Sequence, residues 1–94
     1  MAFTTKAIAA QDTFSLGLNV TPSMGKYFNV SVWGTFVATV TLQRSFDGGT
    51  TWLDVIYYGS PIEDVGHEPE GAMYRIGVKS GAYTSGTVNV RIGV

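Results

Sequence analysis

The chain has 94 residues, enough for one domain and too few for a second. Apolar residues make up 45% of it and charged residues 14%, with six basic and seven acidic side chains and no cysteine. That rules out disulfides and thiolate metal sites. The scattered Lys6, Lys26, Arg44, Arg75, Lys79 and Arg91 do not form the dense basic face that nucleic-acid binding needs.

No window approaches the ~18 apolar residues of a membrane helix, so a membrane partner is not expected. Sparse charge is common where part of a surface is covered by other protein. A chain this short buries only roughly 60–65% of its extended surface, so close packing or oligomerisation has to supply extra stability.

The opening "MAFTTKAIAAQDTF" has one lysine and no long apolar core, which argues against a secretory leader and for synthesis in a cytoplasm. With Met1 at one end and the strand-like "VNVRIGV" at the other, the chain reads as a whole gene product. Residues 1–13 are small, polar and weakly patterned. They read as an N-terminal arm, either disordered or laid across a neighbouring subunit. Residues 14–94 form the β domain.

Within that domain, Phe14, Leu16, Leu18 and Val20 alternate with polar or small residues. The stretch "TPSMGK" (21–26) reads as a turn. Phe28, Val30 and Val32 alternate next, and Gly34 breaks the run or makes a bulge. Phe36, Ala38, Val40 and Leu42 then share one face, with Val37, Thr39, Thr41 and Gln43 on the other. A period of 2 kept over eight residues marks a half-buried strand.

After the turn at 47–50, Leu53, Val55 and Tyr57 point inward. Residues 59–71 form a long polar connection. Tyr74, Ile76 and Val78 mark the next strand, "SGAYTSG" (80–86) a turn, and Val88, Val90, Ile92 and Val94 the last strand. Pairing of residues 4–10 or 61–66 would add to these six. No stretch shows a helical period. The fold class is therefore all-β, a single antiparallel β-sandwich of six to eight strands, jelly-roll or Ig/fibronectin-like.

The stretch "RSFDGGTTW" (44–52) asks for a register. Inward residues are even before the turn and odd after it, so opposed numbers must sum to an odd value. A sum of 97 pairs Leu42 with Val55, Val40 with Tyr57, Gln43 with Asp54 and Ser45 with Trp52. In that register the carboxylate of Asp47 accepts turn amide hydrogens. Gly48 and Gly49 supply positive φ, and Thr51 bonds back across the loop mouth.

The spacing Ser45-x-Asp47-x-Gly49-x-Thr51-Trp52 resembles an Asp-box, the hairpin cap of sialidases and other β-propellers. It occurs once, in a chain too short for four blades. The resemblance implies a locked hairpin (Ser45, Asp47, Gly48, Gly49, Thr51, Trp52) and not a glycosidase, whose paired carboxylates cannot be assigned.

Other candidates are weaker. Glu63, Asp64, His67, Glu68 and Glu70 crowd one connection but lack a calcium-loop pattern, so a solvated loop is expected. His67 is the lone histidine, which leaves little for triad chemistry. No catalytic set, metal or cofactor is expected. The sequons at Asn19 and Asn29 lie in or beside strands with no leader ahead of them. Trp33, Phe46, Trp52 and Tyr58 break the inward alternation and read as partly exposed, suited to protein interfaces or sugar stacking.

Two longer stretches, "VWGTFVATVTLQRSFDGGTTWLDV" (32–55) and "YRIGVKSGAYTSGTVNVRIG" (74–93), resemble small β-sandwich structural proteins of tailed bacteriophages. The resemblance implies a head decoration, or cement, protein. Its partner would be the major capsid protein, its state a homo-oligomer with a trimer favoured, and its place the capsid surface of the virion. The expected contact residues are Phe3, Thr4, Thr5 and Lys6 of the arm, with Trp33, Trp52, Tyr58 and Tyr83. The alternative is a glycan-binding module, or a tail- or head-fibre module, with Trp33 and Trp52 as stacking platforms.

Overall fold

A computed structural model describes residues 2–21 and 27–94. Apart from Thr21, the turn expected at 21–26 lies outside the described residues. The chain is all-β, as the alternation predicts. Its strands are β1 (Phe3–Ile8), β2 (Thr13–Phe14), β3 (Leu18–Val20), β4 (Tyr27–Ser45), β5 (Leu53–Tyr58), β6 (Ile62–His67) and β7 (Ala72–Gly93). All belong to one antiparallel sheet.

Two long strands organise it. The runs at 28–32 and 36–43 fuse into β4 because Gly34, at φ 118°, absorbs the break without ending the pairing. A Cβ there would sit 2.6 Å from the Thr87 carbonyl oxygen, so only glycine lets β7 come this close. The expected turn at "SGAYTSG" does not reverse the chain. Both of its flanks pair with β4, Val40 with Val78 and Thr35 with Thr87. The surplus residues swell out of β7 as a bulge that Gly81 turns at positive φ, while Gly86, also at positive φ, stays in register opposite Phe36.

Shorter strands flank the two ends of this ribbon. At one end β1 pairs with β7 (Phe3 with Gly93, Ile8 with Val88) and β6 pairs with β4 (Tyr27 with His67, Val32 with Ile62). At the other end β2 and β3 pair with β7, and β5 pairs with β4.

The sheet folds over on itself. A flat β4 of 19 residues would run about 63 Å at 3.3 Å per residue, yet the longest dimension of the molecule is 38 Å. Phe28 and Tyr74 belong to opposite ends of the ribbon, and their rings lie 4.5 Å apart. Val30, Val32, Val88, Val90, Ile92 and Ile8 from one half thus share a core with Val40, Leu42, Tyr74, Ile76, Val78 and Val20 from the other. A Cβ on Gly66 would run into the Phe28 ring, so a bare backbone there makes room for this aromatic contact.

Four expectations are corrected. Residues 3–8, read as part of an arm, are an edge strand whose backbone is already paired within the chain. The alternating run 14–20 is broken at Ser15, which turns in to bond the Ile76 N–H at 3.1 Å and throws Leu16 out to 81% exposure. The polar connection 59–71 contains β6.

The fourth correction is the hairpin register. The sum of 97 holds for Gln43 with Asp54 and Arg44 with Leu53. Beyond Gln43 the pairing shifts, to Leu42 with Ile56, Thr41 with Tyr57 and Val40 with Tyr58. Val55 is the extra residue of a bulge, and parity reverses after it. Tyr57 therefore faces out. Tyr58, expected at the surface, is buried at 5% exposure.

Candidate functional site

The "RSFDGGTTW" hairpin is a closed hydrogen-bond unit. Ser45 Oγ donates to Asp47 Oδ1 at 2.6 Å and accepts from the Gly49 N–H at 2.9 Å. Asp47 also accepts the Thr51 N–H at 2.8 Å and the Thr50 N–H at 3.2 Å. The Ser45 hydroxyl, then the Thr51 amide and hydroxyl, hold the Asp47 carboxyl down at about 2. Gly48 and Gly49 carry the turn at φ 73° and 100°. Ser45, Asp47 and the Thr51 N–H are spent on one another and on the turn backbone, as the spacing predicts.

Beside it, a polar array crosses the outer face of four strands. Asp54 accepts from Lys79 Nζ at 2.7 Å, from Gln43 Nε2 at 2.8 Å and from Tyr57 Oη at 2.8 Å. Those three bonds, the Lys79 ammonium foremost, lower its carboxyl to about 2. Gln43 passes the connection on by accepting from Arg75 Nε at 2.8 Å. The Arg75 guanidinium is sandwiched between the rings of Phe14 at 4.1 Å and Trp52 at 4.3 Å. Trp52 is half-buried, lying over Gly49 and Gly17 beside Arg75.

The acids expected in a solvated loop part company. Glu68 is buried and accepts from Tyr74 Oη at 2.7 Å, Arg44 Nη1 at 3.1 Å and the Glu70 N–H at 3.2 Å. Burial pushes its carboxyl up, but these donors together outweigh burial and leave it lowered. Asp64 accepts from Tyr58 Oη at 2.9 Å, and Glu63 from Ser31 Oγ at 2.6 Å. Burial, then Asp64, raises the Tyr58 hydroxyl. Among the described residues, no three His, Cys, Asp or Glu side chains stand close enough to hold a metal ion.

The expected contact residues are scattered over the sheet. Phe3, Thr4, Thr5 and Lys6 lie on β1, where Phe3 is 60% exposed beneath the Arg91 guanidinium at 4.9 Å. Trp33, opposite Asn89, is 45% exposed at the corner where the ribbon bends. Tyr83 is at the same corner, but it packs on the core and donates to the Gly86 carbonyl at 2.8 Å. Tyr58 is lost to the interior.

Sequence reading missed the most exposed aliphatic positions, Leu16, Val65 and Val37, and the Tyr27–His67 stack at 4.8 Å. Only Val37 carried a signal, since it lies on the outward face of the best alternating run. Compared with known proteins, the chain matches no family model, and no curated protein or solved structure aligns with it significantly.

Proposed function

We propose that this chain is a virion structural protein of a tailed bacteriophage, a decoration or cement protein that binds the assembled head and stabilises joints between capsid subunits. The observation that carries the reading is the number of large apolar side chains left in solvent on so small a domain. Phe3, Trp33, Val37, Tyr57 and Val65 are all exposed. Of these, Phe3, Trp33 and Val65 share the outer face of the β1–β7–β4–β6 half, and exposed apolar side chains gathered on one face suit a protein-contact surface.

The mechanism is mechanical. Each copy adds apolar contact across a subunit joint, and the sum opposes the outward pressure of packaged DNA. Weak single contacts become firm when linked copies of an oligomer engage several joints at once. Phe3, Thr4, Thr5, Lys6 and Trp33 are the contact residues this reading keeps. Trp52, stacked on Arg75, serves the hairpin first.

Co-sedimentation with assembled heads tests the reading. The chain pellets with heads, and Trp33→Ala weakens that binding roughly tenfold or more. A chain that stays in the supernatant at every head concentration sinks it.

One arrangement favours glycan binding as a second reading. On the outer face of the β1–β7–β4–β6 half, Phe3 and Trp33 flank a polar centre of Arg91, Asn29, Ser31 and Glu63. Arg91 Nη1 donates to Asn29 Oδ1 there at 2.7 Å. Millimolar binding of an oligosaccharide, abolished by Trp33→Ala and without binding to heads, favours this reading over the first.

A further inference from the structure

We infer that the open edge of β4 at residues 33–39 is a twofold self-association site, where the same edge of a second copy pairs with it as an antiparallel strand. This goes beyond the decoration reading and does not depend on it.

The edge arises from a gap. On the side of β4 away from β7, β6 pairs through Val32 and β5 resumes only at Val40. Between them, among the described residues, no strand covers Trp33-Gly34-Thr35-Phe36-Val37-Ala38-Thr39. An uncovered strand offers a row of backbone donors and acceptors that another extended chain can pair with. The register shifts at the corner place their surplus residues on β7, so β4 has no extra residue along this edge, where Gly34 at φ 118° is its one positive-φ position. A cleft of about 440 Å³ runs beside Phe36–Thr39, walled by Gly59, Gly81, Ala82 and Thr84. Gly59, the residue after β5, is the small residue at the β5 end of this edge, while Gly81, Ala82 and Thr84 come from the β7 side of β4.

The other edges are guarded. β1 carries Lys6 and β6 carries Glu63 and Asp64, while β2 and β3 have two and three residues. β5 has Asp54 and the Val55 bulge. Across the corner, β7 is blunted by its own bulge and by Gln11, whose side chain accepts the Gly81 N–H at 2.7 Å. Charge, brevity and bulges are the usual devices against edge pairing, and the 33–39 stretch has no charged residue, is seven residues long and carries no surplus residue.

The occupant follows from self-complementarity. A twofold contact brings each charge near its own copy, and this edge has no charge to oppose. The register that uses all seven residues centres on Phe36. It sets Trp33 against Thr39 and Thr35 against Val37 of the other copy on the outer face, with Gly34 against Ala38 on the inner face. Outer meets outer and inner meets inner, so the sheet continues across the axis. Trp33 and Val37, now 45% and 59% exposed, gain cover from the second copy. The association is twofold, not the threefold that the phage resemblance implies.

Sedimentation equilibrium on the whole chain between about 10 and 500 µM tests this, because a seven-residue edge is smaller than a standard interface and binds weakly. The expected result is a mass that rises toward two chains with concentration. Val37→Lys and Thr35→Lys, both at exposed positions, hold it at one chain while thermal melts confirm the fold. Val65→Lys, an equally exposed change on β6, leaves the dimer intact. A single-chain mass at the highest concentration, a three-chain mass, or a dimer indifferent to Val37→Lys overturns the inference. Head binding by a chain that remains monomeric would overturn it and leave the decoration reading standing.

Discussion

At the scale of single residues, the interior is held by two unequal polar groups. Glu68 has three donors and almost no solvent. Replacing it with alanine removes the carboxylate that the buried Tyr74 hydroxyl donates to and leaves that hydroxyl with Arg44 as its other partner; burial and then Glu68 raise its pKa to about 12. Arg44 is 38% exposed and can turn to water, which limits the loss. The expected cost of Glu68→Ala is about 2–3 kcal/mol, or a melting temperature lower by roughly 10–20 °C. Glu63→Ala, on the exposed surface, stays within about 0.5 kcal/mol. Equal effects from the two would show that Glu68 is not a structural anchor. Thr41 is the opposite case. Its Oγ1 is buried with no hydrogen-bond partner among the described residues. Thr41→Val removes an unsatisfied hydroxyl at nearly constant shape, so stability holds or rises by about 1 kcal/mol in urea titrations.

At the scale of elements, the hairpin and its flanking array carry the acid sensitivity. Asp47 and Asp54 both titrate at about 2 in the folded chain, against an ordinary value of 3.8. A lowered carboxyl adds stability that is full above its unfolded pKa and is lost as pH falls through the folded one. The melting temperature therefore drops between about pH 4 and pH 2, and the double variant Asp47→Asn/Asp54→Asn flattens that limb while lowering the plateau at neutral pH. An unchanged limb would put the acid sensitivity elsewhere. The same hairpin shows what the sequence makes legible. Spacing alone yields the Ser45–Asp47–Thr51 lock, because those bonds are local. Parity yields Gln43 opposite Asp54, because no irregularity intervenes. It fails from Val55 onward because a bulge adds one residue without any glycine to mark it, and so Tyr58 and Tyr57 exchange sides. The bend at 33–39 is hidden for a similar reason. Gly34 looks like a break or a bulge and "SGAYTSG" like a chain reversal, and only the shared partner strand reveals that both long strands continue through the corner.

At the scale of the whole molecule, stability depends on closing one sheet around one core. Asn29 pairs with Gly93 at one end of the ribbon, and Ser45 with Met73 at the other. Only the fold at the corner brings Phe28 against Tyr74. Neither half has a second layer of its own, so each exposes its apolar face if the other opens. The two tryptophans report on different parts. Trp33 stands where the first half meets the corner, and Trp52 lies on the outer face of the second, against Arg75. Single-tryptophan variants, Trp33→Phe and Trp52→Phe, are expected to show the same urea midpoint by fluorescence as by far-ultraviolet circular dichroism. Phe28→Ala, by the core-truncation rule, lowers both fluorescence midpoints together, at a cost of about 3–5 kcal/mol. Two separated midpoints, or a Phe28→Ala effect confined to the Trp33 signal, would mean that the halves fold independently and that the corner is a linker. Coincident transitions mean that the corner carries load, so a partner strand bound at 33–39 would stabilise both halves at once.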